Sequence, residues 1–114
     1  MEHKTHNHEA SLEIAKGNLP SDVLICELAD LFKNYSDSTR LKIMFALSNQ
    51  ELCVSEIVEI IGMEQSAVSH QLKSLKDKNL LKSRREGKTV LYSLSDSHVQ
   101  SVLKFGYDHV TEEN

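Results

Sequence analysis

The segment Ser55-Glu56-Ile57-Val58-Glu59-Ile60-Ile61-Gly62-Met63-Glu64-Gln65-Ser66-Ala67-Val68-Ser69-His70-Gln71-Leu72-Lys73-Ser74-Leu75 decides the fold. Ile57, Ile60 and Ile61 make a short helical stripe that stops at Gly62, a residue suited to the left-handed position that follows a helix. A second helix is predicted from Gln65, because Val68, Leu72 and Leu75 fall on one face. At about 100° per residue, Ser66, His70 and Lys73 lie opposite that face, with Ser69 at its flank. A short helix, a tight turn and a second helix with a small polar outer face is the geometry that enters a major groove.

After Leu80-Leu81 the period changes. Lys82 to Arg85 and Thr89 to Leu94 read as two strands, and Glu86-Gly87 forms a tight turn between them. Upstream, Leu24, Leu28, Leu31 and Phe32 predict a helix over roughly 21–34 with Ser21 as its cap, and Cys26 is expected in the core. Leu41, Met44, Phe45 and Leu47 predict another over about 38–48, capped from Ser36-Asp37-Ser38. A final helix is expected over 97–111, capped by Ser95. The order is mostly α with a β-hairpin wing, a winged helix-turn-helix. Residues 1–18 read as a flexible, His-containing N-terminal tail and 19–114 as one domain that binds DNA and dimerises.

The 114 residues suffice for one modest core. No apolar run approaches the roughly 20 residues that span a bilayer, and Met1-Glu2-His3-Lys4 lacks a signal peptide's apolar segment. Cys26 and Cys53 form no short-spaced pair, so a reducing cytoplasm and no membrane partner are expected. The net charge of −4 conceals a concentrated basic stretch, since residues 71–88 carry +5 on an otherwise acidic body. Such a patch binds phosphate locally. Gln65, Ser66, Ser69, His70 and Gln71 offer the hydroxyl, amide and imidazole groups that read base edges, although Gln71 lies nearer the apolar face. Lys73 can reach phosphate, and Arg84, Arg85 and Lys88 would place three cations on the wing. The expected partner is double-stranded operator DNA.

The last helix carries different chemistry, Asp96, His98, His109 and Glu112 in the pattern D-x-H-x10-H-x2-E. On one helix the two histidines share a direction but stand about 16 Å apart, too far for one ion. Two copies packed antiparallel would bring the start of one helix to the end of the other, twice. Val99, Val102, Leu103, Gly106 and Val110 supply an apolar stripe for such a homodimer. Two imidazoles and two carboxylates form a closed tetrahedral set suited to Zn2+, with Co2+ as a substitute. Taken alone, these four could be surface polar residues. Asp96 must leave the helical conformation to join His98, since in continuous helix it would point about 160° away.

The combination of Glu51-Leu52-Cys53-Val54, Gln65 to Leu72, Arg85-Glu86-Gly87-Lys88 and the terminal ligand pattern resembles the ArsR/SmtB metalloregulators over about residues 21–112. The resemblance implies a zinc-responsive repressor that leaves its operator when metal binds at Asp96, His98, His109 and Glu112, and so controls metal efflux or sequestration genes. Cys53-Val54-Ser55 lacks the second thiol of members with a cysteine-rich site, which argues against soft ions. Cys53 and Glu56 with His6 and His8 remain an accessory metal set. Glu64 stands where relatives have a better helix cap. Three rival readings start from the same residues: a regulator responding to oxidation of Cys53, a zinc enzyme, and a metal buffer.

Overall fold

The computed structural model describes residues 7–112. The elements run α1 (His8–Asn18), α2 (Asp22–Ser36), α3 (Ser38–Ala46), β1 (Leu52–Cys53), α4 (Val54–Ile61), α5 (Gln65–Asp77), β2 (Leu81–Glu86), β3 (Thr89–Leu94) and α6 (Ser97–Thr111). The chain divides into two compact units, Met1–Asp30 and Leu31–Asn114.

In the first unit the stretch expected as tail is helical from His8. The Asn7 side-chain oxygen accepts from Ala10 N–H at 3.0 Å, and Glu9 sits in the first turn, where the helix dipole favours a negative charge. Over 8–18 the polar composition thus accompanies a helix, and residues 1–6 of that stretch lie outside the described residues. Ser21 caps α2 as expected, its Oγ accepting from Leu24 N–H at 3.2 Å. The expectation that Cys26 belongs to the core is corrected, because its thiol is exposed on a part of α2 where no side chain is buried.

The second unit contains the core. Ile43 and Met44 of α3, Leu47, Ile57 of α4, and Val68, Leu72 and Leu75 of α5 are fully buried, joined by Leu52, Leu80, Leu81, Leu94, Val99 and Leu103. Asp37 caps α3 through a 2.9 Å bond from Arg40 N–H. Gly62 ends α4 at φ 78°, a left-handed conformation that favours glycine. Asn79, at φ 64°, ends α5 in the same way, and Leu80 N–H then donates to Leu75 O at 3.0 Å. That reversal carries Leu80 and Leu81 into the core and starts the wing.

Strands β2 and β3 pair antiparallel from Leu81↔Leu94 to Glu86↔Thr89, turning through Gly87 at φ 64°. The sequence reading missed β1, whose two residues pair as Leu52↔Tyr92 and Cys53↔Leu91 to give the order β1-β3-β2. A two-residue strand is too short to show a period of its own. It fastens the wing to the base of α4. The second unit is thus a winged helix-turn-helix, mostly α with a small sheet.

Candidate nucleic-acid interface and metal centre

Because Val68, Leu72 and Leu75 are buried, the opposite face of α5 is held out to solvent. Ser66, His70 and Lys73 are exposed there and Ser69 at its flank, while Gln65, in line with Leu72, is exposed at the helix start. Lys73 Nζ lies 3.1 Å from Asp77 Oδ2, an exposed i, i+4 pair of the kind worth only a few tenths of a kcal/mol and easily given up to a phosphate. Lys76 Nζ donates to Ser83 Oγ at 2.7 Å, tying α5 to the wing. Glu64 occupies the cap position of α5 without a side-chain bond to the helix, so the first N–H groups of α5 receive nothing from it.

Two expected DNA-contacting residues are otherwise engaged. Gln71 is half-buried, and its Oε1 accepts from Arg40 Nε at 2.7 Å. It sits at the flank of the apolar face, and α3 passes close enough to claim it. Arg84 donates from Nε and Nη2 to the two carboxylate oxygens of Glu51, both at 2.7 Å, and lies 3.5 Å from Glu86. The hydrogen bond from Arg84, foremost, holds the Glu51 carboxyl below its ordinary value, and the bond to Glu51 pushes the Arg84 guanidinium above its own. Arg84 thus fastens the wing. Arg85 and Lys88 stay exposed at its tip.

The expected metal ligands sit at both ends of α6. Asp96, rather than Ser95, caps the helix. Its backbone is extended (φ −163°, ψ −177°), and its Oδ1 accepts from His98 N–H at 2.9 Å and Val99 N–H at 3.3 Å. The carboxylate also lies 3.5 Å from His98 Nδ1. Partial desolvation works against ionisation of Asp96, but the bonds from Val99 and His98, with the charge on His98, hold its carboxyl below the ordinary value. The non-helical turn that the Asp96–His98 pairing requires is therefore present. His98 is 92% exposed. His109 and Glu112 are exposed at the other end, Glu112 having also left the helical conformation at φ −64°, ψ 138°. The start of α6 thus presents one carboxylate beside one imidazole, and its end carries another carboxylate and another imidazole, side-chain types that can ligate zinc.

Among the described residues of one chain, no three His, Cys, Asp or Glu side chains are grouped to hold an ion. For the accessory set, the Glu56 carboxylate accepts from Cys53 N–H at 2.9 Å and closes the first turn of α4, while Cys53 Sγ lies 3.2 Å from Ser55 Oγ. His8 belongs to the other unit, and His6 lies outside the described residues.

The apolar stripe of α6 divides. Val99 and Leu103 are buried in the chain's own core, whereas Val102 and Val110 are 37% and 82% exposed. Val102, Gly106, Tyr107 and Val110 line an apolar groove together with Tyr35, Leu41 and Phe45.

The family description "Bacterial regulatory protein, arsR family" matches residues 37–83, the span from the α3 cap into the wing. A "Transcriptional repressor SmtB homolog" from Synechocystis sp. is 41% identical over 88 residues, covering 77% of this chain and 67% of that one. A "Cadmium resistance transcriptional regulatory protein CadC homolog" from Staphylococcus aureus is 40% identical over 111 residues, 96% of this chain and 87% of the relative. Among solved structures, the homodimeric winged helix-turn-helix DNA-binding domain of a possible ArsR-family regulator from Mycobacterium bovis superposes with a TM-score of 0.72. It is 25% identical, covering 85% of this chain and 96% of that one. The chain therefore belongs to the ArsR family of bacterial regulatory proteins. Members of this class are helix-turn-helix regulators that bind DNA, not enzymes. Among the described residues, no helix is long and apolar enough to cross a membrane.

Proposed function

We propose that the chain is a metal-responsive transcriptional repressor that binds operator DNA as a homodimer in the cytoplasm and releases it when Zn2+ joins the paired α6 helices. Each site would take Asp96 and His98 from one protomer and the partner's His109 and Glu112. The observation that carries this reading is the extended conformation at Asp96, which sets its carboxylate beside His98 while the other two donors stay exposed at the far end of the same helix. Names of relatives point the same way: two are transcriptional regulators, and one is named for cadmium resistance. Zinc suits this chain better than cadmium, because the available donors are imidazole and carboxylate and Cys53 is followed by Val54-Ser55.

In the metal-free dimer, Ser66, Ser69 and His70 face the base edges, Gln65 and Lys73 lie beside them, and Arg85 and Lys88 reach the backbone from the wing. Two recognition helices of such a dimer must match successive major grooves about 34 Å apart. Asp96 and His98 of one protomer with His109 and Glu112 of the other would donate to the zinc, and holding the two helices together in this way would favour a dimer shape with another spacing. The coupling is reciprocal, so operator DNA weakens zinc binding by the same factor. Efflux or sequestration genes are the fitting targets of a repressor relieved by excess metal. Fluorescence anisotropy with operator DNA tests the reading. Saturating zinc should weaken binding by about 5–150-fold relative to chelator in the wild type, and this effect should vanish in His98→Ala. Equal affinity with zinc and with chelator overturns it.

A further inference from the structure

A second polar assembly, away from α6, joins three helices. Asn34 in the last turn of α2 is 2% exposed, the one buried polar residue among those described. Its amide nitrogen donates to Leu31 O at 3.3 Å, which fixes the amide so that Oδ1 faces Arg40. Arg40 Nη1 donates to that oxygen, and Arg40 Nε donates to Gln71 Oε1 at 2.7 Å. The backbone of Arg40 is itself pinned by the Asp37 cap. One guanidinium thus links the end of α2, the first turn of α3 and the flank of α5. A planar fork aims its separate N–H groups at two amide oxygens in a fixed geometry, which a compact ammonium on a flexible stem does not reproduce.

The bridge also sets what Gln71 can do. A glutamine that reads adenine uses its oxygen and its nitrogen together, accepting from N6 and donating to N7. Here the oxygen is committed to a charged donor, a bond worth more than one between neutral groups. We infer that Arg40 is the positioning residue of the recognition helix: by bridging Asn34 and Gln71 it fixes the angle at which α5 presents Ser66, Ser69 and His70, and Gln71 serves this bridge instead of reading a base. The inference rests on α5 being the DNA-reading helix.

Operator binding with single-base operator variants, a salt series and melting temperatures tests it. Arg40→Met should weaken binding about tenfold, equally across the operator variants and with an unchanged salt slope, because the loss is of positioning and not of a phosphate contact. Arg40→Lys should behave like Arg40→Met. Gln71→Met should weaken binding similarly, and the double variant should be no worse than either single one, as expected for two ends of one bond. Gln71→Glu, which keeps the acceptor, should bind operator more tightly than Gln71→Met despite its added negative charge. The bridge is overturned if Gln71→Met relaxes preference at one base pair, if the two losses add, if Lys restores what Met removes, or if Arg40→Met lowers the salt slope by about one. Should the Arg40 variants fail to fold, the Gln71→Glu and Gln71→Met comparison still decides. Ser69→Ala and His70→Ala serve as the control: if they change no base preference, the reading of α5 itself has failed. If they do and the bridge results do not hold, only the bridge has failed.

Discussion

Helices α5 and α6 are both amphipathic, yet one is complete within a single chain and the other is not. The apolar side of α5 is buried in one core, chiefly against α4 and β2, and its outer side is polar and exposed. The apolar side of α6 is only half used: Val99 and Leu103 are buried, while Val102, Tyr107 and Val110 line an open groove and Phe105 is exposed. The four candidate donors sit two at each end of the helix. A reading element can therefore be built by one chain, whereas the sensing element we propose requires a second. In the proposed repressor this division would let a metal act on the relation between two chains without touching the outer face of α5.

The comparison can be broken at α5 with the largest effect. Leu72 is fully buried, so Leu72→Ala should cost about 2–5 kcal/mol in chemical denaturation, since the cavity adds to the lost burial. Val102→Asp should leave the monomer's stability nearly unchanged, because the position already meets water. It should weaken self-association about a hundredfold in sedimentation velocity. A fold as destabilised as by Leu72→Ala would mean that α6 is finished within the chain after all.

Smaller changes sharpen the contrast. Glu64→Ser adds the missing cap to α5 and should stabilise it by about 0.5–1 kcal/mol, seen as a higher melting temperature and stronger amide protection over residues 65–68. The wing offers the weakest handle. Glu51 has its carboxyl lowered below 4.5 by Arg84, so the pair contributes fully above that pH and is lost as pH falls through the lower folded value. The Arg84 Nε–H resonance should therefore shift with a midpoint below 4.5, and Glu51→Gln should abolish that shift. The pair is exposed, so little stability goes with it.

Where periodicity was strong, the chain announced its structure. The stripe Val68, Leu72, Leu75 located α5, the change of period after Leu81 located the wing, and the bounds 97–111 of the last helix coincide with those observed. The outward set Ser66, Ser69, His70 and Lys73 was equally legible, because a buried face fixes the opposite one. Caps were less so. Ser95 and Asp96 are both good cap residues, and only the backbone turn showed that Asp96 takes the role.

Local pattern alone thus located α2 to α6, the two wing strands, the winged-helix order and the outward polar side of α5, since each depends on spacing along one element. The tertiary structure decided which side chains were still available. It gave Gln71 to Arg40, Arg84 to Glu51, Val99 and Leu103 to the core, and β1 to the wing. Such assignments join residues 31, 33, 40 and more positions apart, and no period in a sequence records which distant group will arrive to claim a hydrogen bond or cover an apolar surface.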